Sequence, residues 1–121
     1  MKYLNELARQ CHATSRDHGF WPVDYRAGAD KIATPEQQYL LGHKIALIHS
    51  ELSEALEDVR TGSVELTKEN SGKMHGVPSE LADVLIRTLE LMHAMGTDIE
   101  AVVLEKMAYN RNRPRMHGKL S

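Results

Sequence analysis

The feature that most constrains the fold is a long run of apolar residues at helical spacing between Thr34 and Gly62. Thr34-Pro35-Glu36-Gln37 is a capping box with proline at the first helical position, which predicts where this helix begins. Gly62 predicts that the helix ends near Arg60. The positions expected to form its buried stripe are Leu40, Leu41, Ile45, Ile48, Leu52, Leu56 and Val59.

Three further segments have the same period. They predict a first helix within residues 1–16, a third from Pro78 to Gly96, and a fourth from a capping box at 97–100 to a point before Pro114. We expect the fourth helix to bury Ile99, Val102, Val103 and Met107. Residues 61–77 have no sustained period and no strand signal, which predicts a surface loop. The predicted fold is an all-α, antiparallel bundle of about four to five helices.

Length, charge and cysteine usage limit the class of protein. A chain of 121 residues with a net charge of -2 is expected to form a single domain over residues 1–121. One cysteine, Cys11, excludes a disulfide within the chain and favours a reducing compartment. Because no stretch has the apolar length needed to cross a bilayer, we expect a cytoplasmic protein without a membrane partner.

Two pairs of acidic residues are spaced three apart, on different predicted helices. Glu51 and Glu54 lie on the second helix, whereas Glu80 and Asp83 lie at the start of the third. Residues three apart project from one face of a helix, where like charges repel. The 25 residues between Glu54 and Glu80 allow a reversing loop, so the two helices can run antiparallel with their acidic faces together.

Four converging carboxylates predict a metal site, since a cation offsets their repulsion. Ligation by oxygen atoms alone suits Mg²⁺, with Mn²⁺ as a possible substitute, better than zinc. The alternative is that these residues are solvent-facing acids of an amphipathic helix, as most glutamate-rich helical stretches are. Two such pairs favour the metal site.

The fourth helix presents basic and amide groups along one line. Lys106, Asn110 and Arg113 are spaced four and three apart, an arrangement suited to binding phosphates. The alternative is that basic side chains near a helix C-terminus complement the helix dipole. A net acidic chain with one short basic tail argues against nucleic-acid binding. Lys44, on the same helical face as Glu51, is a further candidate.

Aromatic residues precede the second helix. Phe20 and Trp21 are candidates for stacking on a nucleobase, because every base offers a ring face. The alternative is that both rings anchor a loop on the bundle.

Three segments contain these motifs in a fixed order. They are IHSELSEALEDVR at 48–60, GVPSELADVLIR at 76–87 and KMAYNRNRPRMHGK at 106–119. In order and spacing they follow an E-x-x-E, E-x-x-D and K-x-x-x-N-x-x-R-P pattern. In this the chain resembles the MazG-like, all-α nucleoside triphosphate pyrophosphohydrolases over residues 36–119.

The resemblance implies a helical bundle that assembles as a homodimer or homotetramer. It implies hydrolysis of a nucleoside triphosphate between its α- and β-phosphates, giving a nucleoside monophosphate and pyrophosphate. Glu51, Glu54, Glu80 and Asp83 would then bind Mg²⁺, with Glu51 and Glu54 in the catalytic role. The positions matching the phosphate-binding residues are Lys106, Asn110 and Arg113, with Lys119 and His117 in the following tail.

One position departs from the pattern. Many members have a further glutamate directly before the first motif residue, where this chain has Ser50. A serine cannot accept the proton of the attacking water at neutral pH, so either Glu51 is the base or the metal acidifies the water directly. A function of another class also stays open, a non-catalytic helical interaction module that uses the acidic face as a cation-stabilised docking surface.

Overall fold

The computed structural model describes residues 3–21 and 34–114, and these residues form four helices and one short two-stranded ladder. The helical elements are α1 (Tyr3–Asp17), α2 (Pro35–Thr61), α3 (Val77–Ala94) and α4 (Ile99–Arg111), and the strands are β1 (Thr67–Lys68) and β2 (Met74–His75). The mostly helical structure confirms the all-α class. Lys119 and His117 lie outside the described residues.

The predicted ends of α2 are confirmed in atomic detail. The Gln37 amide N–H donates to the Thr34 hydroxyl at 3.2 Å, and the Thr34 amide N–H donates to the Gln37 side chain at 3.0 Å. This reciprocal pair satisfies amides that the first turn of a helix leaves without partners. At the other end Gly62 takes a left-handed conformation, with φ 85°, which stops the helix.

The capping box predicted for α4 is wrong, because the N-cap is Asp98 and not Thr97. The Asp98 carboxylate accepts from the Ala101 amide and from the Asn5 side chain of α1. Glu100, expected to complete the box, instead accepts a hydrogen bond from the Leu4 amide. The first amides of α1 lack partners within their own helix, so the Leu4 amide binds Glu100 in a tertiary contact.

α3 lies between α1 and α2 and contacts both extensively. On the α1 side, Leu89 packs with Ala8 and with Ile99 at the start of α4. On the α2 side, Leu91 and Ala94 pack around Trp21, together with Leu40, Leu41 and Ile48. The site residues of α2 and α3 are thus positioned by one central helix with two small apolar clusters.

Much of the predicted core is exposed in a single chain. On α2, Ile45, Leu52, Leu56 and Val59 are each about half exposed, and on α4 only Ile99 of the predicted stripe is buried. The prediction that Val102, Val103 and Met107 are buried is therefore wrong for the isolated chain. The physical reason is that α4 packs on α1 and α3 near its N-terminal end, where Ile99 lies.

The segment predicted as a loop without strands contains a small antiparallel ladder. Thr67 pairs with His75 and Lys68 with Met74, and Glu69 forms an ion pair with His75 across the hairpin. Two residues per strand are too few to produce an alternating pattern, so no sequence signal marked these strands. The hairpin returns the chain to the start of α3.

Gly76 connects the hairpin to α3 where two backbone segments nearly touch. Its φ is 104°, and a Cβ atom built there would lie 2.1 Å from the carbonyl oxygen of Glu65. Only glycine fits both the conformation and the space. This close approach sets the first turn of α3, from which Glu80 projects.

We expect Gly76→Ala to destabilise the fold far more than Gly72→Ala. Gly72 has a similar φ of 96°, but open space surrounds its missing Cβ. Both changes place an alanine at a positive φ, and at Gly76, where ψ is 170°, this conformation is essentially limited to glycine and costs about 1 to 3 kcal/mol. Only Gly76→Ala adds a clash, of roughly 1 to 3 kcal/mol. Thermal denaturation of the two variants measures the difference, and equal melting temperatures would contradict the close approach.

Candidate metal centre and adjoining cavity

Three carboxylates converge between α2 and α3. One oxygen from each of Glu51, Glu54 and Glu80 lies within 4.8 Å of the others, in the only such group of three that residues 3–21 and 34–114 contain. Glu51 is opposite Arg87 and Glu54 is opposite Glu80, so the residue order on the two helices runs in opposite directions. The antiparallel arrangement expected from the loop length therefore brings the acidic pairs together.

The electrostatics of this carboxylate group are unfavourable without a cation. Burial raises the pKa of Glu80, and the negative charges of Glu54, Asp58 and Asp83 raise it further. The side chains of Glu80 and Glu54 are also in hydrogen-bonding contact. Two carboxyl groups in such contact need a shared proton or a cation between them.

Asp83 lies beside the three-carboxylate group rather than within it. The residue as a whole is exposed, but partial burial of its carboxyl group and the charge of Glu51 raise its pKa, whereas the charge of Arg87 lowers it. Three of the four predicted ligands therefore form one cluster, and the fourth borders it. Asp58 contributes to the same negative field from α2, whereas Glu57 points away and pairs with Arg60 at 3.6 Å.

Arg87 is a site residue that the sequence analysis missed. Its Nε donates to Glu51 Oε1 at 3.0 Å, and the Glu51 side chain is only 15% exposed. A charge-assisted bond of this kind fixes the orientation of the carboxylate. A signal was present, because Arg87 follows Glu80 by seven residues and Asp83 by four, which puts all three on one face of α3.

The basic residues of α4 lie in the exposed part of this helix. Lys106, Asn110 and Arg113 are exposed, and the Arg113 guanidinium stacks over the ring of Tyr109 at 5.7 Å. They follow the first turn of α4, which is the part anchored on α1. Within the part of the chain that the structure describes, the side chains of Lys106 and Asn110 form no hydrogen bond or ion pair with these carboxylates.

Trp21 and Lys44 form an internal anchor. Trp21 is 3% exposed, and the Lys44 ammonium lies 4.2 Å from its ring centroid while donating to the Phe20 carbonyl at 2.6 Å. Burial lowers the pKa of Lys44. This placement agrees with the anchoring interpretation of Trp21, whereas Phe20 is exposed and borders a cavity.

The cavity lies between α1 and α3, directly beside the carboxylates. Its volume is about 380 Å³, within the range of about 300 to 1,000 Å³ that is usual for small-molecule sites. Asp83 and Arg87 line the cavity and also contact or border the acidic group, so the two sites are continuous. The wall of the cavity also contains the polar residues Gln10, Thr14, Ser15 and Glu90.

Glu90 is a buried carboxyl group in the cavity wall. It is 4% exposed, and this burial raises its pKa, while a hydrogen bond with Ser15 and the charges of Lys44 and Arg87 lower it. A buried charge of this kind is tolerated only where cations and hydrogen bonds surround it. Glu90 belongs to none of the sequence motifs that predict the metal and phosphate sites.

Comparisons of the chain with models of known families, with curated proteins and with solved structures find no match. None of the helices in the described part of the chain combines the length and the apolar character needed to cross a membrane.

We expect Glu80→Gln to raise the melting temperature of the metal-free protein. Removing one charge from the group relieves repulsion of about 0.5 to 1 kcal/mol. Added Mg²⁺ should stabilise the wild type, and stabilise the variant less, because a ligand charge is lost. Glu57→Gln is the matched control on α2, and its response to Mg²⁺ should equal that of the wild type.

The gain from Glu80→Gln should also depend on pH. A raised pKa means that the folded protein binds the Glu80 proton more tightly than the unfolded chain, so the wild type gains stability as the pH falls towards the ordinary value of 4.5. The advantage of the variant should therefore be largest at neutral pH and shrink in acid. A constant difference across this range would show that the carboxylates do not interact.

Proposed function

We propose that this protein is a Mg²⁺-dependent nucleoside triphosphate pyrophosphohydrolase that cleaves between the α- and β-phosphates. The observation that supports this most is the contact of the Glu54 and Glu80 carboxyl groups within the three-carboxylate group, because it calls for a cation. The resemblance to the MazG-like enzymes supplies the reaction. The products are a nucleoside monophosphate and pyrophosphate.

Glu51, Glu54 and Glu80 hold the ion in this proposal, and Asp83 completes the site from its edge. Their oxygen-only donor set fits Mg²⁺, and Mn²⁺ can replace it. When bound, the ion supplies charge for the phosphates and acidifies water. Arg87 orients Glu51 through the 3.0 Å bond, so this carboxylate keeps a fixed direction in the absence of substrate.

The base that receives the proton of the attacking water is best assigned to Glu54. Ser50 cannot take this role, and one oxygen of Glu51 already accepts a hydrogen bond from Arg87. Glu54 is exposed and lies across from Glu80. In the reaction, water oxygen bonds to the α-phosphorus, the bridging P–O bond to the β-phosphate breaks, and pyrophosphate leaves with the bond's electron pair.

Release of pyrophosphate from a panel of ribo- and deoxyribonucleoside triphosphates, with and without Mg²⁺, tests the assignment. We expect Mg²⁺-dependent release, and a loss of at least about 100-fold in Glu54→Ala and in Asp83→Ala, because charge stabilisation in the transition state is removed. Glu57→Ala, on the same helix but outside the group, should keep full activity. Circular dichroism checks that all three variants retain their helices.

Orthophosphate as the product would mean that a different bond is cleaved. Activity retained in both Glu54→Ala and Asp83→Ala would contradict the role of the carboxylates. If no triphosphate is cleaved and Mg²⁺ binds without a nucleotide, the non-catalytic docking module becomes the better description.

A second copy of the chain completes the proposed enzyme as a homodimer or homotetramer. The half-exposed residues Ile45, Leu52, Leu56 and Val59 recur at intervals of seven, four and three, so they form one stripe along α2. Glu54 projects from the opposite side of the helix. An apolar stripe of this length favours burial against another subunit, and that burial leaves the acidic face open to substrate.

The partner subunit also offers a source for the basic residues. α4 exposes Val102, Val103, Leu104, Met107 and Tyr109 beside Lys106 and Asn110, so an interface on this helix would bring its basic groups to another chain. In the proposed oligomer, Lys106, Asn110 and Arg113 bind the phosphates at the partner's carboxylates.

Mixing two inactive variants tests the shared site. Glu54→Ala removes a carboxylate and Lys106→Ala removes a phosphate-binding group, so neither should be active alone. When the two variants pair at random, half of the dimers contain one copy of each variant. Each mixed dimer has one intact site and one doubly impaired site, so we expect about a quarter of wild-type activity. If each site used residues of one chain only, the mixture would stay inactive.

A further inference from the structure

The cavity between α1 and α3 lies where a nucleoside would extend from phosphates bound at the carboxylates. Asp83 and Arg87 belong to its wall, and Arg87 also bonds Glu51. With a volume of about 380 Å³ it has the size of a small-molecule site. The ligand that fits this position, if the proposed function holds, is the sugar and base of the nucleotide.

The wall of the cavity has an apolar part and a polar part. Leu7, Ile86 and Phe20 provide the apolar surface that a flat ring needs, whereas Gln10, Ser15 and Glu90 provide hydrogen-bonding groups. Among these, Glu90 is the ionisable group, and it is 4% exposed. A buried carboxyl group in a cavity wall has a strong directional preference for N–H donors.

Burial raises the pKa of Glu90, and its neighbours offset part of this rise by stabilising the carboxylate. Lys44 and Arg87 are close enough to act on it electrostatically, and Ser15 bonds to it. Lys44 itself is held in place by the Phe20 carbonyl and the Trp21 ring. A charged Glu90 offers acceptors only, so it binds a base edge that presents donors and repels one that presents acceptors.

Guanine is the standard base whose edge presents two adjacent donors, the ring N1–H and the 2-amino group. In adenine and cytosine the amino group lies beside a ring nitrogen that accepts, and in uracil and thymine the single N–H lies between two carbonyls. We propose that the cavity between α1 and α3 binds the base of the substrate, and that Glu90 selects guanine by accepting both hydrogen bonds. This inference rests on the proposed function, and Glu90 acts in it as a specificity residue.

Binding of nucleosides to the metal-free protein tests the inference without any turnover. Guanosine and inosine differ by the 2-amino group alone, and NMR titration at millimolar concentration measures both. We expect guanosine to bind about tenfold more tightly than inosine, the usual effect of one member of a bidentate pair. Uridine should bind more weakly than either.

Two substitutions separate recognition from stability. Glu90→Gln replaces one acceptor with a donor, so the ratio of guanosine to inosine affinity should fall to about one. Glu90→Asp keeps both acceptors and should retain a preference for guanosine. Glu57→Gln, which lies outside the cavity, should leave the ratio unchanged. Melting temperatures confirm that each variant is folded at the temperature of the titration.

The outcomes distinguish this inference from the function on which it rests. Equal binding of guanosine and inosine, no binding of either, or a ratio that survives Glu90→Gln would each overturn the role of Glu90. Pyrophosphate release from triphosphates would stand in those cases. A guanosine preference that depends on Glu90 supports the inference even where the cleaved bond is assigned wrongly.

Discussion

The repulsion among carboxylates on two antiparallel helices is the constraint on which the rest of this structure depends. Glu54 and Glu80 touch, Glu51 completes the group, and burial raises the pKa of Glu80 and of the neighbouring Asp83. A chain that only needed stability would separate these groups. Arg87 offsets part of the negative charge by bonding Glu51. The negative charge that is left on the carboxylate group is the reason for expecting a divalent cation between α2 and α3.

α3 connects the acidic group to the cavity because it is the central helix. One face presents Glu80, Asp83 and Arg87, while Leu89 and Leu91 pack towards α1 and α2 respectively. Glu90 follows Arg87 by three residues and reaches the cavity wall from the same helix. A single rigid element thus sets the distance between the groups proposed for phosphates and the group proposed for the base, which favours a fixed geometry.

The small core of the single chain has a functional meaning in the proposed enzyme. The two buried clusters hold α1, α2 and α3 together, but they leave one stripe of α2 and most of α4 with exposed apolar side chains. Such surfaces are unfavourable in water and are commonly buried between subunits. If Lys106 and Arg113 act in the partner's site, assembly and catalysis become coupled, since neither chain has a complete set of charges alone.

The sequence by itself determined the helices and the pairing of the acidic residues. Caps and periodicity are local, so the ends of α2 at Thr34 and Gly62 were predictable, and the three-residue spacing put Glu51 and Glu54 on one face. Tertiary structure decided what local patterns do not encode. The bond of Arg87 to Glu51, the burial of Glu90 beside Lys44, the cap at Asp98 and the exposure of Val102 and Met107 depend on which helices touch. Helical spacing identifies an apolar face, but only packing determines whether the same chain covers it.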